Sequence, residues 1–257
     1  MAPTTKKSVI NMDVGEGYGN SVCGPDKDLL PMIGHANVAC GFQKKYSTGE
    51  PLMIAETVPP CKAHGVKIGA HPGIPDVQGF SRWEMKLTPE EHTANTVYQI
   101  GALKAFLDRE GVEMHHAKPH GILYGMMVRD IGVSRAVWAA VPKGMRVFGL
   151  AGTHMETTAK EARLESWAQY FDDLNYREDG TLIVVRKKNP WKTEDVKGHV
   201  RKQLSESRVV AVTGEEVDLP VKDHPITICC HSGPPGCIEI VKAIREVTDQ
   251  FNKERGL

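Results

Sequence analysis

Asp13, Glu16, His71, Lys118, His120 and His231 have the side chains that acid/base and electrostatic catalysis uses, and each stands at or just beyond the end of a short apolar stretch. His71 shows the pattern. Residues 66–70 alternate apolar positions and read as a buried strand, which Pro72 and Gly73 stop, so His71 is placed where a strand ends on extended backbone. The layout recurs along the chain. Residues 8–12 run into Asp13 and Glu16, residues 35–40 into Gln43, residues 112–118 into Lys118 and His120, residues 166–171 into Asp172 and Asp173, and residues 226–230 into His231. Asp76 follows His71 in the same loop. In parallel α/β folds the loops beyond the strand carboxyl ends converge on one mouth, so these groups are predicted to share a side. A carboxylate, a buried ammonium and imidazoles together can move protons and stabilise an oxyanion.

Each residue taken alone has a plainer reading. Asp13 beside Gly15 can close an Asx-turn, and His71 or His120 can hydrogen-bond loop carbonyls. The Asp172-Asp173 pair reads more readily as a solvated strand end. Lys118 is harder to set aside, because a lysine that ends a strand and points inward is a buried amine in need of a partner. His64, His92, His154, His199 and His224 are read as surface residues.

The elements that must position these groups alternate strand with helix. Thr88, Pro89 and Glu91 form a capping box with proline at the first helical position, Val97, Ile100, Leu103 and Leu107 fall on one face, and Gly111 ends the helix. Further helices are predicted over residues 26–33, 50–64, from Ser134 as cap to before Pro142, over 155–163, 193–204 and 236–251. The last turns Ile240, Ile244, Val247 and Phe251 inward. Residues 145–150 and 208–212 are strand-like, residues 44–49 are a polar loop, and Asp179-Gly180 suggests a hairpin within residues 176–186. About seven strand–helix units call for a closed or nearly closed parallel barrel, and no linker divides residues 1–257, which are read as one domain.

Composition narrows the partners. Lys+Arg and Asp+Glu each total 32, so the overall field does not argue for nucleic acid or an anionic membrane, and a small-molecule substrate is expected. No run approaches the roughly 18 apolar residues of a membrane span, and the N-terminus lacks an apolar signal core; a cytoplasmic protein is expected. The six cysteines show no Cys-x-x-Cys pair and read as reduced thiols. Gly15, Gly17 and Gly19 lack dinucleotide-fingerprint spacing, and no G-x-x-x-x-G-K-[ST] loop is present.

The segments containing Asp13-Val-Gly-Glu16, Ala36-Asn37-Val-Ala-Cys40, Gly69-Ala-His71-Pro-Gly-Ile-Pro-Asp76, Tyr98 to Phe106 and Lys118-Pro-His120-Gly-Ile-Leu-Tyr124 resemble the LamB/YcsF family, whose bacterial members include the A subunit of 5-oxoprolinase. The resemblance implies a seven-stranded parallel (β/α) barrel similar to the polysaccharide-deacetylase superfamily. It implies hydrolytic opening of a cyclic amide, with ATP handled through two partner subunits. Asp13 or Glu16 would be general base, and Lys118 with His120 or His71 would stabilise the oxyanion. Asn37, Gln43, Asp76, Tyr124, Asp173 and His231 would bind substrate.

The chain also departs from the family pattern. Gln43 stands where the pattern has histidine, Leu174 where it has arginine, and Ser232-Gly233 where it has Gly-Asp. In the related deacetylases one aspartate and two histidines hold a divalent ion. The corresponding trio would be Asp13, His71 and position 43, with His35 or His120 as substitutes. An amide oxygen is a poorer ligand than imidazole, so no tightly bound metal or other cofactor is expected. A divergent, metal-independent enzyme catalysing cyclisation, isomerisation or elimination is the alternative, and a purely binding protein is disfavoured by the retained charged groups.

Overall fold

The computed structural model describes residues 7–17, 23–41, 51–183, 191–221, 224–233 and 235–257. Its strands, in chain order, are β1 (Ser8–Val14), β2 (His35–Ala39), β3 (Lys67–His71), β4 (His116–Ala117), β5 (Arg146–Gly149), β6 (Glu165–Phe171), β7 (Asn175–Tyr176), β8 (Leu182–Ile183), β9 (Arg208–Val210), β10 (Glu216–Asp218) and β11 (Ile226–Cys230). Seven of them close a parallel barrel in the order β1-β11-β6-β5-β4-β3-β2. The other four pair antiparallel outside it, β7 with β8 and β9 with β10. Residues 208–212 therefore do not add a barrel strand. They turn back on Glu216–Asp218, because a hairpin partner lies a few residues away in the chain.

The helices are α1 (Asp26–Leu29), α2 (Pro51–Ala63), α3 (Pro89–Glu110), α4 (Gly121–Arg129), α5 (Ile131–Ala139), α6 (His154–Glu161), α7 (Thr193–Glu206) and α8 (Cys237–Glu254). In α8, Ile240, Ile244, Val247 and Phe251 are all buried, as their spacing requires. Among the described residues no helix is long and apolar enough to cross a membrane.

Several local expectations need correction. On α3 the buried face is His92, Thr96, Gln99, Ile100, Leu103 and Leu107, whereas Val97 is 52% exposed. The 3.6-residue period selects Thr96 and Ile100 and turns Val97 away. His92 is therefore a core residue, and His199 and His224 are half-buried: His199 packs on Tyr176 and Trp191, and His224 meets Glu156. The fourth strand is only two residues long. Immediately beyond its loop lies α4, a helix that the Pro119-His120-Gly121 run disguises as turn. Asp130, not Ser134, caps α5, its Oδ1 accepting from the amides of Gly132 (2.7 Å) and Val133 (3.1 Å). The polar loop at 44–49 lies outside the described residues.

Alternation along the barrel strands fixes which side chains face inward. Thr227, Asn11, Asn37 and His116 make a hydrogen-bonded ladder within the barrel: Asn11 Nδ2 donates to Thr227 Oγ1 (2.7 Å), Asn37 Nδ2 to Asn11 Oδ1 (2.7 Å), and His116 Nε2 to Asn37 Oδ1 (2.7 Å). Gly69 makes room for this layer, since a Cβ there would come within 2.4 Å of the His116 ring. One layer nearer the strand carboxyl ends come Asp13, His71 and Lys118.

The capping box at α3 is complete, with Glu91 N donating to Thr88 Oγ1 (3.2 Å) and Thr88 N to Glu91 Oε2 (2.7 Å). Thr88→Ala is expected to lower stability by about 1 kcal/mol, read by chemical denaturation, with no change at the barrel mouth.

Candidate active site

Asp13 is the next-to-last residue of β1, His71 the last of β3, and His231 the first after β11. Lys118 follows β4 directly, and His120 immediately precedes α4. Lys118 Nζ donates to both oxygens of Asp13, at 2.6 and 2.8 Å, with both residues buried. Asp13 also meets His71 Nε2 at 3.3 Å and His231 Nε2 at 3.9 Å, while Glu16 Oε1 lies 3.3 Å from His120 Nδ1 and 3.9 Å from His71 Nε2. Residues separated by more than a hundred positions thus share one barrel mouth.

The cavity above them takes in about 560 Å³ of empty space, part of it open solvent. Asp13, Glu16, Lys118, His120 and His231 form its polar wall. Tyr124, Phe171, Leu174 and Leu182 form its apolar side, and Arg82 completes the rim. The Tyr124 hydroxyl is buried and has no hydrogen-bond partner among the described residues.

The charges are set by burial and by each other. Burial favours a neutral Asp13, but His71 and the Lys118 ammonium outweigh it and hold the carboxyl well below its usual range. Burial likewise works against the Lys118 charge, and Asp13 reverses the effect, raising Lys118 above its ordinary value. At Glu16 the more distant cations do not prevail: burial and the Asp13 charge push it up to about 8. Burial lowers both His71 and His120; Asp13 partly offsets this at His71, whereas His71 adds to it at His120.

Hydrogen bonding also decides the imidazole tautomers. His71 Nδ1 lies 2.6 Å from the Lys118 carbonyl and His120 Nε2 lies 3.0 Å from the Phe80 carbonyl. A carbonyl only accepts, so both of those nitrogens carry hydrogen and the opposite ones, His71 Nε2 and His120 Nδ1, present lone pairs. These two bare nitrogens stand 2.8 Å apart. Such a contact is repulsive unless a proton or a cation lies between them.

Asp13, Glu16, His71 and His120 offer ligand atoms within 4.8 Å of one another, and Glu16 Oε1 is buried without a hydrogen-bond partner among the described residues. This donor set fits a divalent cation. Asp13 already carries Lys118, which leaves Glu16 and the two imidazoles as the donors most open to an ion. Gln43, whose amide was the ground for expecting no metal, lies outside the described residues, and His120 supplies the second imidazole in its place. His35 does not substitute: it begins β2 at the opposite end of the barrel, stacked on His115 at 4.8 Å.

Three residues expected to touch substrate stand behind the wall instead. Asn37 is fully buried and donates to Asp13 Oδ1 (2.8 Å), fixing that carboxylate. Asp173 accepts from His231 Nδ1 (2.9 Å) and orients the ring. Asp76 knots its own loop, accepting from the amides of Gly79 (2.8 Å) and Trp83 (2.9 Å). Arg82, Phe171 and Leu182 were not singled out from sequence, and Leu174 was named only as the position where the family pattern has arginine. Phe171, two residues beyond inward-facing Gln169, was within reach of the alternation rule, whereas Leu182 comes from the β7–β8 hairpin, outside the barrel.

The LamB/YcsF family model matches residues 9–255. The chain belongs to the LamB/YcsF family. Among curated relatives, the lactam utilization protein lamB of Emericella nidulans is 55% identical over 256 residues, covering 100% of both chains. The A subunit of a 5-oxoprolinase from Thermus thermophilus is 39% identical over 250 residues, covering 95% of this chain and 97% of its own. The crystal structure of a lactam utilization protein, also from Thermus thermophilus, superposes with a TM-score of 0.84 at 38% identity, covering 95% of this chain and 96% of that one. Against the LamB/YcsF pattern, Leu174 places the lost arginine in the cavity wall itself.

Two outcomes are expected. Lys118→Met should do more than remove a cation: it strands a buried carboxylate and should destabilise the fold by about 3–5 kcal/mol, much of it recovered in the Asp13→Asn/Lys118→Met double variant. Denaturant melts of the four proteins in the cycle measure this. In calorimetric titration of dialysed protein, Zn²⁺ should bind near one equivalent, with affinity reduced about tenfold or more in His120→Ala; no binding by the parent protein would leave a shared proton between His71 and His120.

Proposed function

We propose that this chain opens a small lactam, 5-oxoproline or a close analogue, by hydrolysis of the ring C–N bond, as the lactam-handling component of a larger ATP-dependent enzyme. The observation that carries the reading is the buried Lys118–Asp13 pair facing a small, half-apolar cavity beside Glu16. The names borne by the relatives support the substrate class, and a name that designates one subunit among several supports the existence of partners. The sequence has no phosphate-binding G-x-x-x-x-G-K-[ST] loop, so the nucleotide chemistry is assigned to those partners.

In this reading the ring methylenes lie on Phe171 and Leu174 and the amide faces the polar wall. Lys118, held in place by Asp13, stabilises the amide oxygen as it gains negative charge. Asp13 is a poor base, because the same interactions keep its carboxyl ionised far below neutral pH. Glu16, at about 8, is the carboxyl suited to proton transfer. Its ionised form takes a proton from water as the water oxygen bonds to the carbonyl carbon, and returns it to the ring nitrogen as the C–N bond breaks, leaving an open-chain amino acid. A divalent ion held by Glu16, His71 and His120 would supply polarisation of the carbonyl and acidification of water.

Leu174 favours a second reading, in which the changed wall accepts another small metabolite and the same acid/base groups serve cyclisation, isomerisation or elimination. Turnover decides between them. With its partner subunits, the protein should release the open-chain amino acid from 5-oxoproline in step with ATP consumption. Glu16→Gln should slow this by about 10²–10⁴-fold with thermal stability retained. Full activity in that variant, or no ring opening by the parent enzyme, overturns the proposal.

A further inference from the structure

Helix α3 lines no part of the cavity, yet it sets one fully buried polar side chain against the loop that follows His71. Gln99 shares a face with Leu103 and Leu107, where an apolar residue would be the ordinary occupant. Its amide is spent on the backbone of Gly73, which is itself buried. Gln99 Oε1 accepts from Gly73 N (2.9 Å), and Nε2 donates to the Gly73 carbonyl (2.8 Å) and, within the helix, to the Asn95 carbonyl (3.0 Å). An N–H only donates and a carbonyl only accepts, so the amide has one orientation and both of its hydrogens are used. Gly41 leaves room for the side chain, since a Cβ there would come within 2.3 Å of Gln99 Cγ.

The clamp acts on a single rigid unit. The Gly73 N–H and the Pro72 carbonyl belong to one planar peptide. Gln99 holds that peptide by its N–H, and His120 N donates to its carbonyl (2.8 Å). The backbone of His120 is thus tied to α3 with one planar unit between them. The ring of His120 is held separately by the Phe80 carbonyl, from a loop in which Phe80 and Ser81 are consecutive left-handed non-glycine residues at φ 60° and 52°. His71, the residue before Pro72, is oriented by the Lys118 carbonyl. The separation of the two rings is left to the peptide that Gln99 grips.

We propose that Gln99 is the positioning residue of the His71–His120 pair, holding the two facing ring nitrogens within reach of one proton or one cation. An apolar side chain at position 99 would fill the same space but strand two buried backbone groups of Gly73. The loop would move to pair them elsewhere and carry the Pro72 carbonyl, and His120 with it. The role holds whichever reaction the cavity carries out, so it stands or falls apart from the ring opening proposed above.

Gln99→Met keeps most of the volume and removes the amide. Crystal structures of parent and variant should show the contact between His71 Nε2 and His120 Nδ1, 2.8 Å in the parent, opened to about 3.5 Å or more. Zn²⁺ affinity, read by calorimetric titration of the dialysed full chain, should fall about three- to tenfold. Thr96→Val is the control for a merely structural loss. It removes another buried side-chain hydrogen bond of the same helix, from Thr96 Oγ1 to the His92 carbonyl (2.8 Å), and should leave contact and affinity as in the parent. Gln99→Glu, which keeps an acceptor for Gly73 N, should lie between parent and Q99M. Melting curves check folding; should Q99M not fold, Q99E and Gln99→Asn, whose amide is one methylene too short, decide by the same measurements. An unchanged contact between the imidazoles in the deciding variants overturns the proposal, as does equal opening in T96V. If the parent binds no Zn²⁺, the contact alone decides.

Discussion

The site depends on one buried ion pair. Lys118 and Asp13 come from strands that do not adjoin in the barrel, and their contact closes the mouth with both charges almost out of water. Desolvating two ions is unfavourable, and their attraction offsets this only where further hydrogen bonds satisfy the carboxylate. Asp13 has such support from Asn37. Such a pair is a weak source of net stability, and what it provides is a fixed local field, an ammonium and a carboxylate held in one geometry.

Everything under the pair is arranged to hold it. Asn37 reaches Asp13 only because Asn11 and His116 fix its amide, and His116 occupies its place because Gly69 has no side chain. His71 is oriented by the backbone of Lys118 itself, and His120 by the carbonyl of Phe80 in a strained loop. The barrel interior is thus a polar stack ending in a charged layer, with the apolar core lying mainly between strands and helices.

The two ends of the barrel use the same residue type for different purposes. At the strand amino ends, His35 stacks on His115 at 4.8 Å beside Trp167 and Phe148, and burial lowers His35 to about 3 and His115 to about 4, so both are neutral rings. At the carboxyl ends, His71 and His120 turn lone pairs toward two carboxylates. Burial is common to both groups. What separates them is the company of Asp13, Glu16 and Lys118.

The sequence by itself determined the barrel and most of its mouth. Period-two stretches ending in polar residues located Asp13, His71, Lys118 and His231, and the capping box located α3, because strand alternation and helix capping are local rules. Only the tertiary structure decided which of these groups meet. It paired Lys118 with Asp13 and brought His120 against His71. It also moved Asn37, Asp76 and Asp173 from the wall to the supports behind it, and brought Arg82 and Leu182 into the cavity. Those outcomes depend on strand order, barrel closure and loop geometry, which join residues far apart in the chain. A side chain's distance from a charge, and so its protonation and its role, follows from that closure, and neither residue type nor spacing encodes it.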